Sequence, residues 1–168
     1  MPDLTGRVAI VTGSTKGIGL AIAEEFVEAG ASVVISARTA SDVEEVAERL
    51  DPYARGDVGG IPTDVADPDA CAELVRRTVD ELGRLDILVN NAGLGTFKSI
   101  EEMSHEEWRT QIDVNLGGVF ACSKAAIPHL KDSDDAWIIN IGSLAGRNTF
   151  AGGTGYNASK FGLVGMTE

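Results

Sequence analysis

Three side chains in the last part of the sequence have types and spacings that suit proton transfer: Ser143, Tyr156 and Lys160. Residues four apart on a helix lie on one face, so Tyr156 and Lys160 meet at one place. The positive charge of the lysine stabilises the phenolate, which makes the tyrosine a stronger proton donor. A Tyr and a Lys at this spacing also occur on solvated helix faces, so the rest of the sequence has to decide between the two interpretations.

A glycine-rich turn near the N-terminus predicts an anion site. The apolar run 7–12 predicts a buried strand, and the following segment predicts a helix that ends at Gly30. Glycines let the backbone approach a ligand, and free N–H groups at a helix start suit a pyrophosphate. The predicted nucleotide-contacting residues of this turn are Gly13, Ser14, Thr15, Lys16, Gly17, Ile18 and Gly19. The alternative is a plain strand-turn-helix connection that merely needs glycine.

Strand and helix patterns alternate along the chain, which predicts a parallel sheet with helices on both faces. Further strands are predicted at 32–36, 58–63, 85–90 and 136–141. The glycines and the proline of the 58–63 run favour an edge position for it.

Helix starts and helix faces are also readable. Asp67 followed by Pro68 predicts one helix start, and Ser104 with Glu107 has the spacing of a capping box at another. In the first helix, an apolar face is predicted from residues that recur at helical period. These are Ile18, Ile22 and Phe26, with Ala21 and Ala29.

Several short motifs together resemble the short-chain dehydrogenase/reductases, most closely the 3-oxoacyl-(acyl-carrier-protein) reductase type. In chain order they are Thr12-Gly13-x-x-x-Gly17-x-Gly19, Asn90-Asn91-Ala92-Gly93, Asn115, Ser143, and Tyr156 with Lys160. The resemblance implies an α/β fold, a Rossmann-like doubly wound parallel sheet of order 3-2-1-4-5. It implies a single NAD(P)-binding domain over 1–168. Relatives continue beyond Glu168, so we expect a domain incomplete at the C-terminus, with its fifth strand an exposed edge.

The resemblance also implies a role for each site residue. Hydride passes from the nicotinamide to a substrate carbonyl while Tyr156 donates a proton and Ser143 holds the oxygen. Lys160 activates Tyr156, and both lie at the nicotinamide ribose. Asn115 is assigned to a local helix distortion and to a water-mediated proton path.

Asn91, Ala92 and Gly93 follow the fourth predicted strand, where ligands collect in sheets of this kind. The asparagine amide either contacts the cofactor or ties down the loop backbone, and both interpretations stay open. Asp64 and Val65 resemble the family's adenine-contacting pair. An Asp in that position is also commonly a turn cap.

The end of the second predicted strand bears on the choice of cofactor. An acidic residue there binds the ribose 2′-hydroxyl of NAD(H), and residues 36–39 contain none. Arg38 and Lys16 instead offer positive charge to the 2′-phosphate of NADP(H). We therefore expect NADP(H), with NAD(H) the less favoured cofactor.

Charge and cysteine content argue against several classes of protein. The 26 acidic and 14 basic residues give a formal charge of −12, which disfavours nucleic acid or an anionic membrane as a partner. This balance fits either a salt-loving source or an ordinary acidic cytosolic protein. Cys71 and Cys122 form no close-spaced pair, and no cluster predicts a metal site. The absence of a secretion signal and of a long apolar run predicts a cytoplasmic location.

These interpretations predict an NADP(H)-dependent oxidoreductase acting on a carbonyl compound or secondary alcohol. A 3-oxoacyl thioester, as in fatty acid biosynthesis, is the first substrate hypothesis, and steroids, sugars and secondary alcohols stay open. By the resemblance, the helices around 108–130 and from Tyr156 onward pair in a homodimer or homotetramer. The alternative is a catalytically silent NADP-binding or assembly module, or an inactive fragment of a longer enzyme.

Overall fold

The computed structural model describes residues 3–168, which form a five-stranded parallel sheet in the order β3-β2-β1-β4-β5. The strands are β1 (Val8–Thr12), β2 (Ser32–Ser36), β3 (Val58–Gly60), β4 (Ile87–Asn90) and β5 (Trp137–Asn140). The helices are α1 (Gly17–Glu28), α2 (Ala40–Leu50), α3 (Pro68–Leu82), α4 (His105–Ile112), α5 (Gly118–Leu130) and α6 (Thr154–Thr167). The order and the parallel pairing confirm the predicted doubly wound sheet.

β1 lies at the centre of the sheet. Its Val11 pairs with Ile35 of β2 on one side and with Val89 of β4 on the other. Because these strands run parallel, their carboxyl ends open at the same edge of the sheet, where folds of this class hold their ligands.

Two hydrophobic cores cover the two faces of the sheet. One core packs α1 and α2 against the strands, and the other packs α3 and α5 against them. Within residues 3–168, no helix combines the length and the apolar character needed to cross a bilayer.

The predicted apolar face of α1 is confirmed in part: Ile22 and Phe26 pack against the core, but the fully buried residues lie one position further along. Ile18 is 64% exposed, whereas Gly19, Ala23 and Val27 are buried. The cause is a close approach at the start of the helix: a Cβ on Gly19 would lie 2.3 Å from Nδ2 of Asn91. This contact fixes the rotation of α1 and brings its small residues to the sheet.

The two edge strands differ in character. β3 is an edge as predicted, although it is shorter than the predicted run 58–63. β5 forms the other edge, and Trp137 is 59% exposed there. The expectation of an exposed fifth strand is thus confirmed.

The predicted helix starts are confirmed. The Asp67 carboxylate accepts hydrogen bonds from the backbone N–H groups of Asp69 and Ala70, at 2.9 and 3.4 Å. The capping box of α4 is complete: Ser104 Oγ accepts from Glu107 N at 3.1 Å, and Glu107 Oε2 accepts from Ser104 N at 2.9 Å.

Cys71 of α3 and Cys122 of α5 are free thiols buried in the same core. The spacing of the two cysteines in the sequence did not predict that they lie in one core. The neighbouring Cys71 thiol, together with burial, raises the pKa of Cys122 above its ordinary value. We therefore regard Cys122 as a packing residue that stays protonated.

Candidate active site

A crevice of about 460 Å³ opens at the carboxyl ends of β1, β2 and β4. Its volume is typical of small-molecule sites. Ten of the predicted cofactor-contacting residues line it: Gly13, Thr15, Lys16, Ile18, Arg38, Asp64, Val65, Asn91, Ala92 and Gly93. Sequence reasoning therefore located most of this crevice.

The N-terminus of α1 has the properties of an anion site. Lys16 caps the helix without a side-chain hydrogen bond, and the first turn contains no acidic residue. Gly13 and Gly17 adopt left-handed φ angles of +64° and +58°, which other residues rarely adopt. The first N–H groups of α1 therefore have no side-chain cap, and with the helix dipole they favour an anion.

Asn91 and Thr12 join the glycine turn to the loop after β4. The Asn91 amide donates to the carbonyls of Thr12 and Gly13, at 2.9 and 3.0 Å. The Thr12 hydroxyl accepts from the N–H groups of Asn91 and Ala92, at 3.0 and 3.1 Å. The Asn91 side chain therefore holds the backbone of the glycine turn, in agreement with one of the two interpretations left open above. It also lines the crevice.

Five residues predicted to contact the cofactor are not among the crevice-lining residues: Ser14, Gly17, Gly19, Tyr156 and Lys160. Ser14 is fully buried; its hydroxyl donates to Val11 O at 2.6 Å and accepts from Ser36 N at 2.9 Å. This side chain fixes the turn from within the sheet. A ligand in the crevice could therefore contact only the backbone of Ser14.

The crevice also contains charged groups near the end of β2. Lys16 and Arg38 are exposed in its lining, as predicted from the sequence. Asp42, in the first turn of α2, lines it as well. Sequence reasoning missed Asp42 because the search for an acid ended at Thr39. The Asp64 carboxylate accepts from Ala66 N at 3.1 Å, so it caps a turn while lining the crevice.

Asn115 lies in a π-helical segment, Asp113–Gly117, between α4 and α5. The predicted helix distortion is therefore present. The amide of Asn115 binds both backbone groups of Leu94: Oδ1 accepts from N at 2.9 Å and Nδ2 donates to O at 2.8 Å. Nδ2 also lies 3.1 Å from Ser159 Oγ on α6. Asn115 thus connects the loop after β4 with α6.

Gln111 repeats this arrangement one turn earlier, and sequence reasoning missed it. It is fully buried, and its amide binds the N–H and the carbonyl of Thr96, at 3.1 and 3.2 Å. Gln111 and Asn115 together hold the loop segment 94–96. The signal in the sequence was a second amide four residues before Asn115, on the same helix face.

Tyr156 and Lys160 lie one turn apart on α6, and the Lys160 ammonium is 5.9 Å from the centre of the Tyr156 ring. Lys160 is only 7% exposed, and its Nζ donates to Ile141 O at 2.7 Å. Burial lowers the pKa of Lys160 below its ordinary value. Among residues 3–168, the Tyr156 hydroxyl has no hydrogen-bond partner.

An aromatic wall, Phe97 with Phe150, stands beside Tyr156. Phe97 packs edge-on to Tyr156 and to Phe150, with ring centres 5.6 Å apart in both pairs. Phe97 directly follows the loop segment held by Gln111 and is 61% exposed. The surface next to the tyrosine is therefore apolar and open to solvent.

Ser143 lies at the N-terminus of a 3₁₀ turn, Leu144–Gly146. Its hydroxyl accepts from Ala145 N at 3.1 Å, and the O–H can still donate. The turn packs tightly on α6, since a Cβ on Gly146 would lie 2.8 Å from Lys160 O. Ser143 is thus held beside the helix of Tyr156 and Lys160. Within the described residues 3–168, no group of three acidic, His or Cys side chains is arranged to hold a metal ion.

Comparison with known proteins gives a consistent result. A family model described as short chain dehydrogenase matches residues 7–168. The (2S)-[(R)-hydroxy(phenyl)methyl]succinyl-CoA dehydrogenase subunit BbsD of Thauera aromatica is 40% identical over 98% of this chain and 66% of its own length. The 3-oxoacyl-[acyl-carrier-protein] reductase FabG of Vibrio cholerae is 37% identical over 99% of this chain and 66% of its own length.

A solved structure shares the fold at similar sequence identity. A metagenomic short-chain oxidoreductase in complex with NADP matches with a TM-score of 0.91 and 38% identity, covering 97% of this chain and 74% of that one. This chain spans about two thirds of the length of the curated relatives described above.

Proposed function

The chain belongs to the short-chain dehydrogenase family, and from this premise we propose that it is an oxidoreductase that transfers hydride between NADP(H) and a carbonyl compound or secondary alcohol. The observation that carries the proposal is the position of Tyr156. Its hydroxyl is free of hydrogen bonds within residues 3–168, and the buried ammonium of Lys160 lies 5.9 Å from its ring. A half-buried phenol beside a cation is suited to donate a proton.

The residues of the crevice fit a dinucleotide. The uncapped start of α1 would hold the pyrophosphate, and Lys16 and Arg38 would hold the 2′-phosphate. Asp64, Val65 and Ala92 line the same crevice and would contact the adenine and the ribose. When bound, the nicotinamide supplies or accepts the hydride, and the protein aligns and polarises the substrate.

The protein's own groups manage the proton and the substrate oxygen. Tyr156 donates a proton to the oxygen as negative charge develops on it, and the O–H of Ser143 donates a hydrogen bond to the same oxygen. Lys160 stabilises the phenolate that remains. Asn115 is proposed to position the water that returns a proton to this site. These four residues form the proposed catalytic group.

A 3-oxoacyl thioester is the proposed substrate. Two relatives support this choice, since the Thauera and Vibrio proteins are named for an acyl-CoA and an acyl-carrier-protein compound. The aromatic wall of Phe97 and Phe150 supports an apolar substituent on the substrate carbonyl. Reduction of such a compound is the chemistry of fatty acid biosynthesis, which we propose as the role in a cytoplasmic setting.

We also propose that the whole unit is one nucleotide-binding domain that assembles as a homodimer or homotetramer. Support comes from the exposed apolar side chains on α5 and α6. Phe120 is 56% exposed, Ile127 42% and Phe161 43%. Exposed apolar side chains that lie together commonly mark a contact between subunits.

The test is NADPH consumption by the purified protein with acetoacetyl-CoA, together with a fluorescence titration of NADPH. Turnover supports the oxidoreductase. Binding of NADPH without turnover of acetoacetyl-CoA or of simple ketones and aldehydes would point instead to a silent nucleotide-binding module. A protein that neither binds NADPH nor turns over any of these substrates would overturn the proposal.

A further inference from the structure

Asp42 is a charged group of the crevice to which the proposed function gives no role. It lies in the first turn of α2, is exposed, and lines the same crevice as Lys16 and Arg38. Among residues 3–168, its carboxylate makes no ion pair and no side-chain hydrogen bond. This can be compared with Glu24 and Glu73, which pair with arginines elsewhere on the surface. A carboxylate that faces a ligand crevice without a partner is free to interact with the ligand.

The positive and the negative side chains of the crevice favour different groups on the ligand. Arg38 and Lys16 attract a phosphate monoester, which carries close to two negative charges at neutral pH. Asp42, in the same lining, repels this phosphate, and we expect the repulsion to be of the order of one unit charge at a solvent-exposed site. A carboxylate is also the group that accepts a hydrogen bond from an unmodified ribose 2′-hydroxyl.

Given the proposed function, on which the inference rests, we infer that Asp42 is a specificity-determining residue: it limits the preference for NADP(H) and keeps NAD(H) usable. Arg38 and Lys16 set the direction of the preference, and Asp42 sets its size. The protein then binds both cofactors, with NADPH the tighter by a modest factor. Removing the carboxylate makes the crevice strongly selective for the phosphorylated ribose.

The alternative is that Asp42 only stabilises its helix, and this role predicts a different experimental result. An acidic residue in a first turn is favoured by the helix dipole, and Asp42 has that position. Such a role predicts an effect on unfolding and none on the relative affinities of two nucleotides. The ratio of the two dissociation constants therefore separates the two roles.

The experiment is a fluorescence titration with NADPH and with NADH, at low and high salt, on the wild type and three variants. Asp42→Asn removes the carboxylate, and Asp42→Lys reverses its charge. Glu44→Gln is the matched control because Glu44 lies on the same helix outside the crevice. It removes the same charge from the protein. Thermal unfolding of each variant shows whether it is folded.

We expect Asp42→Asn to tighten NADPH binding about fivefold at low salt and to leave NADH binding unchanged or weaker. Asp42→Lys extends the change in the same direction, and high salt reduces it. Glu44→Gln changes neither dissociation constant more than about twofold. An unchanged NADPH/NADH ratio in both Asp42 variants, or an equal shift in Glu44→Gln, overturns the inference while the proposed function stands. Failure of the wild type to bind either nucleotide overturns both.

Discussion

The Lys160 ammonium donates a hydrogen bond to the Ile141 carbonyl across 2.7 Å, so α6 is tied to the residue that follows β5. Ile141 lies two residues before Ser143, and Tyr156 lies one turn before Lys160. One side chain therefore connects the segments that hold the proposed proton donor and the proposed oxygen-binding hydroxyl. The burial that lowers the pKa of Lys160 also keeps water from competing for this bond.

Lys160→Met tests this connection. Methionine keeps the length of the side chain but leaves the Ile141 carbonyl without its donor and Tyr156 without its cation. We expect at least about a hundredfold loss of kcat for carbonyl reduction. We expect an accompanying loss of about 1–2 kcal/mol in the free energy of unfolding. Lys124→Met is the control, because Lys124 is an exposed cation over an aromatic ring on α5. Equal turnover in both variants would contradict the role of Lys160.

A second prediction concerns the rotation of α1. Gly19→Ala places a Cβ 2.3 Å from Asn91 Nδ2 and from Gly13 O, so the glycine turn and the loop after β4 must separate. We expect the free energy of unfolding in urea to fall by about 1–3 kcal/mol, and NADPH binding to weaken.

Gly165→Ala is the matched control on α6, where an added Cβ meets no atom within 4 Å. Alanine is the better helix former, so this variant should be more stable by about 0.5–1 kcal/mol. A Gly19→Ala protein as stable as the wild type would show that this contact does not set the packing of α1.

Helices α4 and α1 show what the sequence could and could not predict. The capping box of α4 was predictable because its hydrogen bonds join residues three apart. The burial of Gly19 and the exposure of Ile18 in α1 were not, because they depend on a contact between Gly19 and Asn91, which are 72 residues apart in the sequence. Helical periodicity alone places the large Ile18 on the buried face and does not identify Gly19, the small residue that packs most closely.

The candidate site shows the same limit. The distortion at Asn115 was inferred from the family resemblance and is present. Asp42 belongs to the crevice only because α2 turns back over the end of β2, and Gln111 only because the loop segment 94–96 folds against α4. The pairing of Cys71 with Cys122 likewise depends on the packing of two helices. Such contacts are set by tertiary structure, and apart from the second amide four residues before Asn115 they leave no local signal.

A third prediction concerns Gln111, a positioning residue that acts through the loop bearing Phe97. Gln111→Met has a similar volume but leaves both backbone groups of Thr96 without partners. We expect a loss of about 2 kcal/mol in the free energy of unfolding. We also expect a rise in KM for an acyl thioester larger than the change in kcat, because the aromatic wall is displaced.

Gln111→Glu is the conservative control. It keeps an acceptor for Thr96 N–H and can donate to Thr96 O only when its carboxyl group is protonated, so its KM should fall between those of the wild type and Gln111→Met. A change confined to kcat in either variant would contradict a role in holding the substrate wall.

The fourth prediction concerns pH. Asp86 is fully buried before β4, where its carboxylate accepts from Arg84, from Ser133 Oγ at 2.6 Å and from Val8 N at 2.9 Å. Burial alone would raise the pKa of this carboxyl, but the hydrogen bonds outweigh it and lower the pKa to about 2. The folded state therefore binds this proton less tightly than the unfolded state. The resulting stability is present above about pH 4 and is lost as the pH falls toward 2.

We expect Asp86→Asn to be less stable than the wild type by about 2 kcal/mol or more at pH 7, and the two unfolding curves to approach each other as the pH is lowered. Urea unfolding at several pH values measures this. Asp134→Asn is the control because Asp134 is 80% exposed, and it should differ little from the wild type. A gap between Asp86→Asn and the wild type that stays constant with pH would refute the assignment.

The role of Tyr156 is the fifth prediction. A single-turnover measurement of acetoacetyl-CoA reduction, with NADPH bound in advance, compares the wild type with Tyr156→Phe. The variant keeps the ring that packs against Phe97 and loses only a hydroxyl with no partner within residues 3–168. We expect the rate to fall by about 10² to 10⁴ while the melting temperature stays unchanged and the dissociation constant for NADPH changes far less than the rate. A Tyr156→Phe protein that reduces the substrate within about twofold of the wild-type rate would contradict its assignment as the proton donor.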